Sequence, residues 1–359
     1  MLIHSIRLNN FKNHVFRQLD FSKQINCLVG NNGVGKTNIL DALYYLSVGK
    51  SFLGNTDQNN ILQGESFFDI EAVVSDEEKE SIIRIQQALH SKKVIKKNNK
   101  TYTRLADHVG FLPSVIISPY DHNLISDSGE SRRKFLDGMI SQTDSDYLFN
   151  ILQYQKALQQ RNALLKSFHK NGYFDADSLD IYHHLLIKSG TIIHEKRKAF
   201  NQQFSPLVQK FYRLISNAGE EIEVNYQSDL WEHHFEEILT RYLERDKLLT
   251  YTSRGVHKDD LVFLMQGLAL RKSGSQGQQK TFLISLKLAQ MQMIRNVTGK
   301  SPILLLDDIF DKLDDHRVGQ LIALVNEENF GQIFITDTHK ERTQSIVRRI
   351  NEESKIFEL

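Results

Sequence analysis

The chain carries one cysteine, Cys27, in 359 residues, so it can form no internal disulfide. Cysteine usage this low fits a reducing compartment, and the cytoplasm is the expected location. No apolar run approaches the roughly 18–20 residues of a membrane span. The opening Met1-Leu2-Ile3-His4-Ser5-Ile6-Arg7 has no apolar core of signal-peptide length, and no membrane partner is expected. Charge of one sign is not in excess: 45 Lys and Arg stand against 44 Asp and Glu, a formal net charge of +1. That balance gives no whole-chain pull toward nucleic acid, so any such binding must rest on local patches. Internal repeats and low-complexity tracts are also missing. At 40% hydrophobic and 25% charged residues the composition is that of an ordinary globular protein, long enough for two domains or one domain with a large insertion.

What the chain does have is Gly30-Asn31-Asn32-Gly33-Val34-Gly35-Lys36-Thr37-Asn38, which fits G-x-x-x-x-G-K-[ST]. The apolar Cys27-Leu28-Val29 before it reads as a buried strand. Ile39, Leu40, Leu43 and Tyr44 after it recur at helical spacing. Glycines let the backbone wrap phosphates with its N–H groups pointing inward, and the helix N-terminus adds partial positive charge. Lys36 is expected to reach the β- and γ-phosphates and Thr37 to bind Mg²⁺, so the ligand expected here is ATP or another nucleoside triphosphate.

Residues 2–29 alternate as strands do, with a turn-rich 9–14. Phe67–Val74 and Ser81–Ala88 form an expected antiparallel hairpin, and Ser114–Ser118 is a short buried strand. Ser91–Thr103 is locally basic; Lys92, Lys93, Lys96 and Lys97 are candidates for DNA phosphates, with Arg132, Arg133 and Lys134 behind them. Leu148–Phe168 and Leu179–Ile215 carry apolar residues at helical spacing, separated by a loop at Gly172–Asp180. Strands are expected at Glu221–Tyr226, Asp260–Met265, Ile303–Leu306 and Gln332–Thr336, and helices at Thr281–Arg295 and Asp315–Glu327 before a short helical tail. This gives a partition into 1–120, a helical insertion at 121–247, and 248–359.

Ile303-Leu304-Leu305-Leu306-Asp307-Asp308 delivers two carboxylates at the end of an apolar strand. Asp307 is placed to help hold Mg²⁺ and Asp308 to orient water. Upstream, Ser273–Lys280, with Ser275, Gln276, Gly277 and Gln278, leads into the expected helix as a second anion-binding surface. One chain cannot easily bring it to its own γ-phosphate, so two copies sandwiching nucleotide are expected. That arrangement marks ABC-type ATPases, and Leu313-Asp314 matches their loop at the dimer seam.

With Ile6–Asn13, Lys50-Ser51-Phe52, Ser118–Asp121, Ser131–Asp137 and Thr252–Asp260 added, the chain resembles the RecF family of recombination mediators, relatives of Rad50 and SMC heads without long coiled coils. The resemblance implies an α/β ABC-type P-loop ATPase head, split into N- and C-terminal halves, with an inserted mainly helical lobe. It also implies a cytoplasmic protein of recombinational repair, linked to replication and the SOS response. Such a protein dimerises on ATP, binds gapped or junction DNA without sequence preference, helps load the recombinase, and works with RecR and RecO. Wider relatives carry Glu at the position of Asp308, so slow, DNA-stimulated hydrolysis is expected. They also carry a γ-phosphate-sensing His after the last strand, where this chain has Asp337, with His339 two residues on.

Overall fold

Alternating apolar and polar residues at the start of the chain pair as expected. In a computed structural model describing residues 1–76, 79–216, 219–308, 331–350 and 354–359, β1 (Leu2–Phe11) and β2 (His14–Asp20) form an antiparallel hairpin closed at Phe11↔His14. β4 (Phe67–Asp76) and β5 (Lys79–Ala88) form the second hairpin. The basic stretch is a third and smaller one, β6 (Val94–Lys97) and β7 (Lys100–Thr101), turned by Asn98 and Asn99 at φ 50° and 63°. Asparagine tolerates the left-handed conformation that a two-residue hairpin of this kind requires. Together they make one sheet in the order β2-β1-β4-β5-β6-β7.

The near-continuous apolar strands form a separate sheet. β3 (Ile25–Val29), β8 (Ser114–Ile117), β12 (Ile303–Leu306) and β13 (Ile333–Asp337) are parallel and buried throughout, as strands covered on both faces must be. Helix α1 (Lys36–Val48) shares one core with both sheets: its Ile39, Leu43, Tyr45 and Leu46 cluster with Ile6 and Leu8 of β1, Phe68 and Ile70 of β4, and Leu305 and Phe334 of the parallel sheet. The chain end departs from expectation. The helical tail is present as α10 (Lys340–Ile350), but β14 (Lys355–Glu358) then joins the sheet parallel to β3, in the order β14-β3-β13-β12-β8. Four residues, Lys-Ile-Phe-Glu, are too short for periodicity to single out. Leu313, Asp314 and the expected helix at 315–327 lie outside the described residues.

Packing divides the chain into Met1–His122, Leu214–Asn217 and Lys280–Leu359 on one hand, and Asn123–Arg213 and Ala218–Gln279 on the other. The second unit is mainly helical: α2 (Asn123–Ser126), α3 (Gly129–Ser141), α4 (Ser145–Asn171), α5 (Ala176–Ser216), α6 (Phe235–Arg241), α7 (Leu243–Leu249) and α8 (Leu270–Ser273). It extends beyond 247, where the sequence partition ended the insertion, because β10 (Asp260–Met265) pairs along its full length with β9 (Ile222–Gln227). The short β11 (Leu268–Ala269) adds to β10.

Two of the quoted motifs meet inside this unit. Arg132 grips Asp260 through both carboxylate oxygens at 2.7 and 2.8 Å, and Arg133 donates to the Asp259 carbonyl at 2.7 Å. Both arginines therefore bind helix α3 to the segment entering β10, which removes them as free DNA contacts. Lys134 remains exposed beside Glu130. Arg197, 1% exposed, donates to Asp259, Asp137, the Val256 carbonyl and the Tyr147 hydroxyl at 2.7–3.0 Å. Arg161 pairs with buried Asp246 at 2.8 Å. Removing one member of such a buried pair would leave an ion alone in this interior, which costs several kcal/mol.

His257 sits between the Tyr154 hydroxyl at 2.7 Å and the Thr252 carbonyl at 2.9 Å. Nε2 donates to the carbonyl and Nδ1 accepts from tyrosine, which fixes a neutral tautomer. Burial is the main cause that lowers its pKa to about 4; the nearby Lys258 and Arg133 add to it, against the raising effect of the Thr252 carbonyl. The unfolded chain then binds more protons than the native one between about pH 6.5 and 4, so stability falls as pH falls through that window. The loss from this one group should reach roughly 3 kcal/mol. Urea denaturation at pH 7 and pH 5 should show a smaller acid loss for His257→Gln than for the parent chain. Equal losses would rule out this histidine as the cause.

Candidate functional site

The glycine loop leaves the C-terminal end of β3 and runs into α1. At Gly35 φ is 102°, and a Cβ there would lie 2.6 Å from the ring of His14. The position therefore accepts only glycine, on grounds of both backbone and space. A Cβ on Gly30 would lie 2.9 Å from the Leu359 backbone oxygen, so β14, whose next residue Leu359 donates to the Val29 carbonyl at 3.0 Å, packs directly against the loop's first residue. Lys36 is buried and folds back over the loop, donating to the carbonyls of Gly30 at 2.7 Å and Asn31 at 3.0 Å. Asn31, Asn32 and Gly33 are exposed, and Val34, Thr37 and Asn38 half-buried.

Three chain segments meet at Asp307. Thr37, in the first turn of α1, and Thr336, on β13, each donate a hydroxyl to Asp307 Oδ1 at 2.9 Å; Thr336 Oγ1 in turn accepts the Asp308 amide at 2.9 Å. Parallel pairing of β12 with β13 at Leu306↔Ile335 brings these residues level. Asp308 has φ 45°, an uncommon conformation for a non-glycine residue, and the hydrogen bond from its backbone N–H to the Thr336 hydroxyl accompanies it. Burial raises the Asp307 pKa and the neighbouring Asp308 charge adds to this, while the threonine hydroxyls oppose it. A cation beside Thr37 and Asp307 would relieve both effects, and this hard-oxygen donor set suits Mg²⁺. Among the described residues no three His, Cys, Asp or Glu side chains cluster for a metal. An ion here would therefore take most of its ligands from phosphate and water, as Mg²⁺ does in such sites.

Asp337 is committed elsewhere. It accepts from Arg342 at 2.7 Å, Thr343 at 2.6 Å and the Thr338 amide at 2.7 Å. Burial would raise its pKa, but the bonds from Arg342 and Thr343 outweigh that and hold it below the ordinary value. Of the two residues considered for sensing phosphate, His339 is the exposed one.

Ser275 precedes α9 (Gln276–Thr298), which starts five residues earlier than the sequence suggested. The Ser275 hydroxyl accepts the Gln278 amide at 3.2 Å and the Gln278 side chain accepts the Ser275 amide at 2.8 Å, a reciprocal capping box. That box extends the helix backward, and the serine hydroxyl keeps a proton to donate. Gln278 also donates to Glu220 at 2.9 Å, so its amide is engaged at both ends. Ser275 and Gln276 are exposed and Gly277 is half-buried.

Periodicity did not reveal the support beneath the loop. Asn13 donates to the Gly33 carbonyl at 3.3 Å, His14 to the Gly35 carbonyl at 3.2 Å, and Asn38 to Asn13 at 2.7 Å, so the β1–β2 turn props the glycine loop from below. Next to it, fully buried Asp41 of α1 pairs with Lys12 at 2.5 Å and accepts from the Ser51 hydroxyl and Phe52 amide at 2.7 and 2.8 Å. The signal was present in the Ile6–Asn13 and Lys50–Phe52 motifs, but no spacing rule connects them. Likewise Lys287 of α9 pairs with Asp121 at 2.6 Å and donates to the Ile116 carbonyl, anchoring the segment that leaves β8.

The four lysines of the basic stretch do not share one surface. Lys93 turns inward, donating to Asp57 at 2.8 Å, to the Tyr45 hydroxyl at 3.2 Å and to the Gly49 carbonyl, so its charge is already answered and it is withdrawn as a DNA contact. Lys92 is exposed. Lys96 and Lys97 are half-buried and, as successive strand residues, stand on opposite faces. Lys12→Met should strand Asp41 and lower stability by about 3 kcal/mol, read as a shift in urea midpoint; a change within about 0.5 kcal/mol would show that the pair carries no weight.

Among the described residues no helix is long and apolar enough to cross a membrane. The family model for the RecF/RecN/SMC N-terminal domain matches residues 2–355. The DNA replication and repair protein RecF of Flavobacterium johnsoniae is 46% identical over 359 residues, covering all of both chains. A solved structure of the recombination mediator protein RecF with ATP, in the RecFOR pathway, superimposes with a TM-score of 0.87 at 32% identity, over 94% of this chain and 92% of that one. An Smc head bound to the C-terminal winged-helix domain of ScpA shares the fold, with a TM-score of 0.54 at 14% identity over 96% and 91% of the two chains. With its ABC-type α/β head fold and long helical insertion, the chain belongs to the RecF/RecN/SMC N-terminal domain family and, within it, to the RecF proteins.

Proposed function

We propose that this chain is an ATP-gated DNA-binding protein of recombinational repair, acting in the cytoplasm on gapped or junction DNA with RecO and RecR. The observation that carries the reading is the meeting of Lys36, Thr37, Asp307 and Thr336 at one end of the parallel sheet, in a chain 46% identical to a RecF. ATP would lie along Gly30–Asn38. Lys36 would exchange its carbonyl partners for β- and γ-phosphate oxygens, a charge-assisted gain over neutral acceptors. Thr37 and Asp307 would hold Mg²⁺, which supplies charge neutralisation at the phosphates. Ser275, Gln276 and Gly277 of a second copy would close over the γ-phosphate, and the serine proton left by the capping box supports that role. Asp314 is proposed at the same seam.

Asp308 is the proposed water-orienting group. Its side chain is one methylene shorter than glutamate, so hydrolysis is expected to be slow and to act as a timer rather than as turnover. The helical unit and the loading of a recombinase belong to this proposal by the likeness to RecF.

Lys36→Arg should weaken both ATP-dependent dimerisation and DNA binding. Ser275→Arg should leave equilibrium ATP binding by the monomer intact and abolish the ATP-dependent dimer, because a bulky charge would enter the seam. Nucleotide titration paired with light scattering separates the two effects, and a Ser275→Arg chain that dimerises normally with ATP would overturn the sandwich.

A further inference from the structure

Lys97, left over from the basic stretch, has company that the sequence did not suggest. Its ammonium stands 3.6 Å from the centroid of the Phe111 ring, and that of Lys300, two hundred residues away, stands 5.5 Å from the same ring. Lys100 lies directly opposite Lys97 in the β6–β7 register, and the exposed Lys79 at the start of β5 is close enough to repel it. Burial is the main cause that lowers the Lys97 pKa, with Lys300 and Lys79 adding to it and the Asp76 carboxylate opposing. Asp76 itself pairs with Lys300 at 3.2 Å. Like charges directly opposed across a hairpin are destabilising. Of that pair Lys97 stands over Phe111, a ring it shares with Lys300, and the ring's attraction of about 0.5–2 kcal/mol per cation offsets part of the repulsion.

Asp76, which pairs with Lys300 and stands opposite Lys79 in the β4–β5 register, answers part of this charge, and the excess of ammonium groups around it suits a partner with closely repeated negative charge. The Phe111 ring lies beneath ammonium groups and offers no open apolar socket of the kind a peptide or lipid anchor fills. A nucleic-acid backbone needs no such anchor and presents a charge every 3.4 Å along each strand. We propose that Lys79, Lys97, Lys100 and Lys300 form a seat for the phosphate backbone of DNA, with Phe111 as the platform that fixes two of the four. The seat is sequence-independent, because nothing in it reads a base edge. It deepens the DNA-binding reading above and rests on it.

The test is fluorescence anisotropy of labelled duplex, single-stranded and gapped DNA with the full chain and a non-hydrolysable ATP analogue, from 50 to 200 mM salt. Lys97→Ala and Lys300→Ala should each reduce the slope of log affinity against log salt by about one, and the double variant by about two. Lys79→Ala, an exposed change that leaves Phe111 covered, should do the same, which separates charge loss from misfolding. Lys96→Ala, on the opposite face, serves as the comparison. If the parent chain binds DNA and the double variant keeps its slope, the seat is wrong while the DNA-binding reading stands. If the parent chain binds none of the DNAs with nucleotide, both fail. Loss of binding to anionic lipid vesicles with DNA binding unchanged would assign the patch to a membrane and overturn the proposal.

Discussion

Asp307 is a buried carboxylate that three separate parts of the chain converge on, and most of the first unit can be read as the means of keeping it in place. Thr37 reaches it from the first turn of α1, Thr336 from β13, and β12 delivers it. Two hydroxyl donors only partly compensate burial beside a second carboxylate, so the group remains short of positive charge. The same hydroxyl that steadies Asp307 holds the Asp308 amide, so the positions of the two carboxylates are coupled through Thr336. Thr37 is held in turn because the glycine loop is held, and the loop rests on the β1–β2 turn.

That dependence explains why an antiparallel sheet is built onto a parallel one. The parallel sheet presents Asp307 and the glycine loop at its C-terminal edge. Unsupported, a loop this rich in glycine and asparagine would sample many conformations, since glycine loses the most freedom on ordering. Asn13 and His14 fix two of its carbonyls, and the Lys12–Asp41 pair locks the turn to α1. Helix α1 is thus held at its start by polar contacts and along its length by the shared core. In the second unit the polar interior around Arg197 and Arg161 does a comparable job for the segment between α7 and β10.

The sequence made the glycine loop, the Asp307–Asp308 strand end and the long helices legible because each is a local pattern with a steric or periodic cause. The helix starts at Gln276, five residues before the expected Thr281; a capping box is local but reads as a loop until both of its bonds are seen. Strand β14 was missed because four residues carry no period, and only β3 makes them a strand. The basic stretch misled most. A run of lysines in sequence is divided by strand alternation: Lys93 enters the core, Lys96 and Lys97 part to opposite faces, and Lys97 joins Lys300. Arg132 and Arg133 looked like surface charge until Asp259 and Asp260 were found against them. Charge partners distant in sequence leave no trace in spacing.

The central claim is that nucleotide at this site joins two copies of the chain on DNA. Sedimentation velocity of the unmodified chain with gapped DNA, with and without a non-hydrolysable ATP analogue, tests it most directly. The account predicts two chains per DNA with the analogue and dissociation to monomer and free DNA without it. A single chain on DNA under both conditions would contradict it.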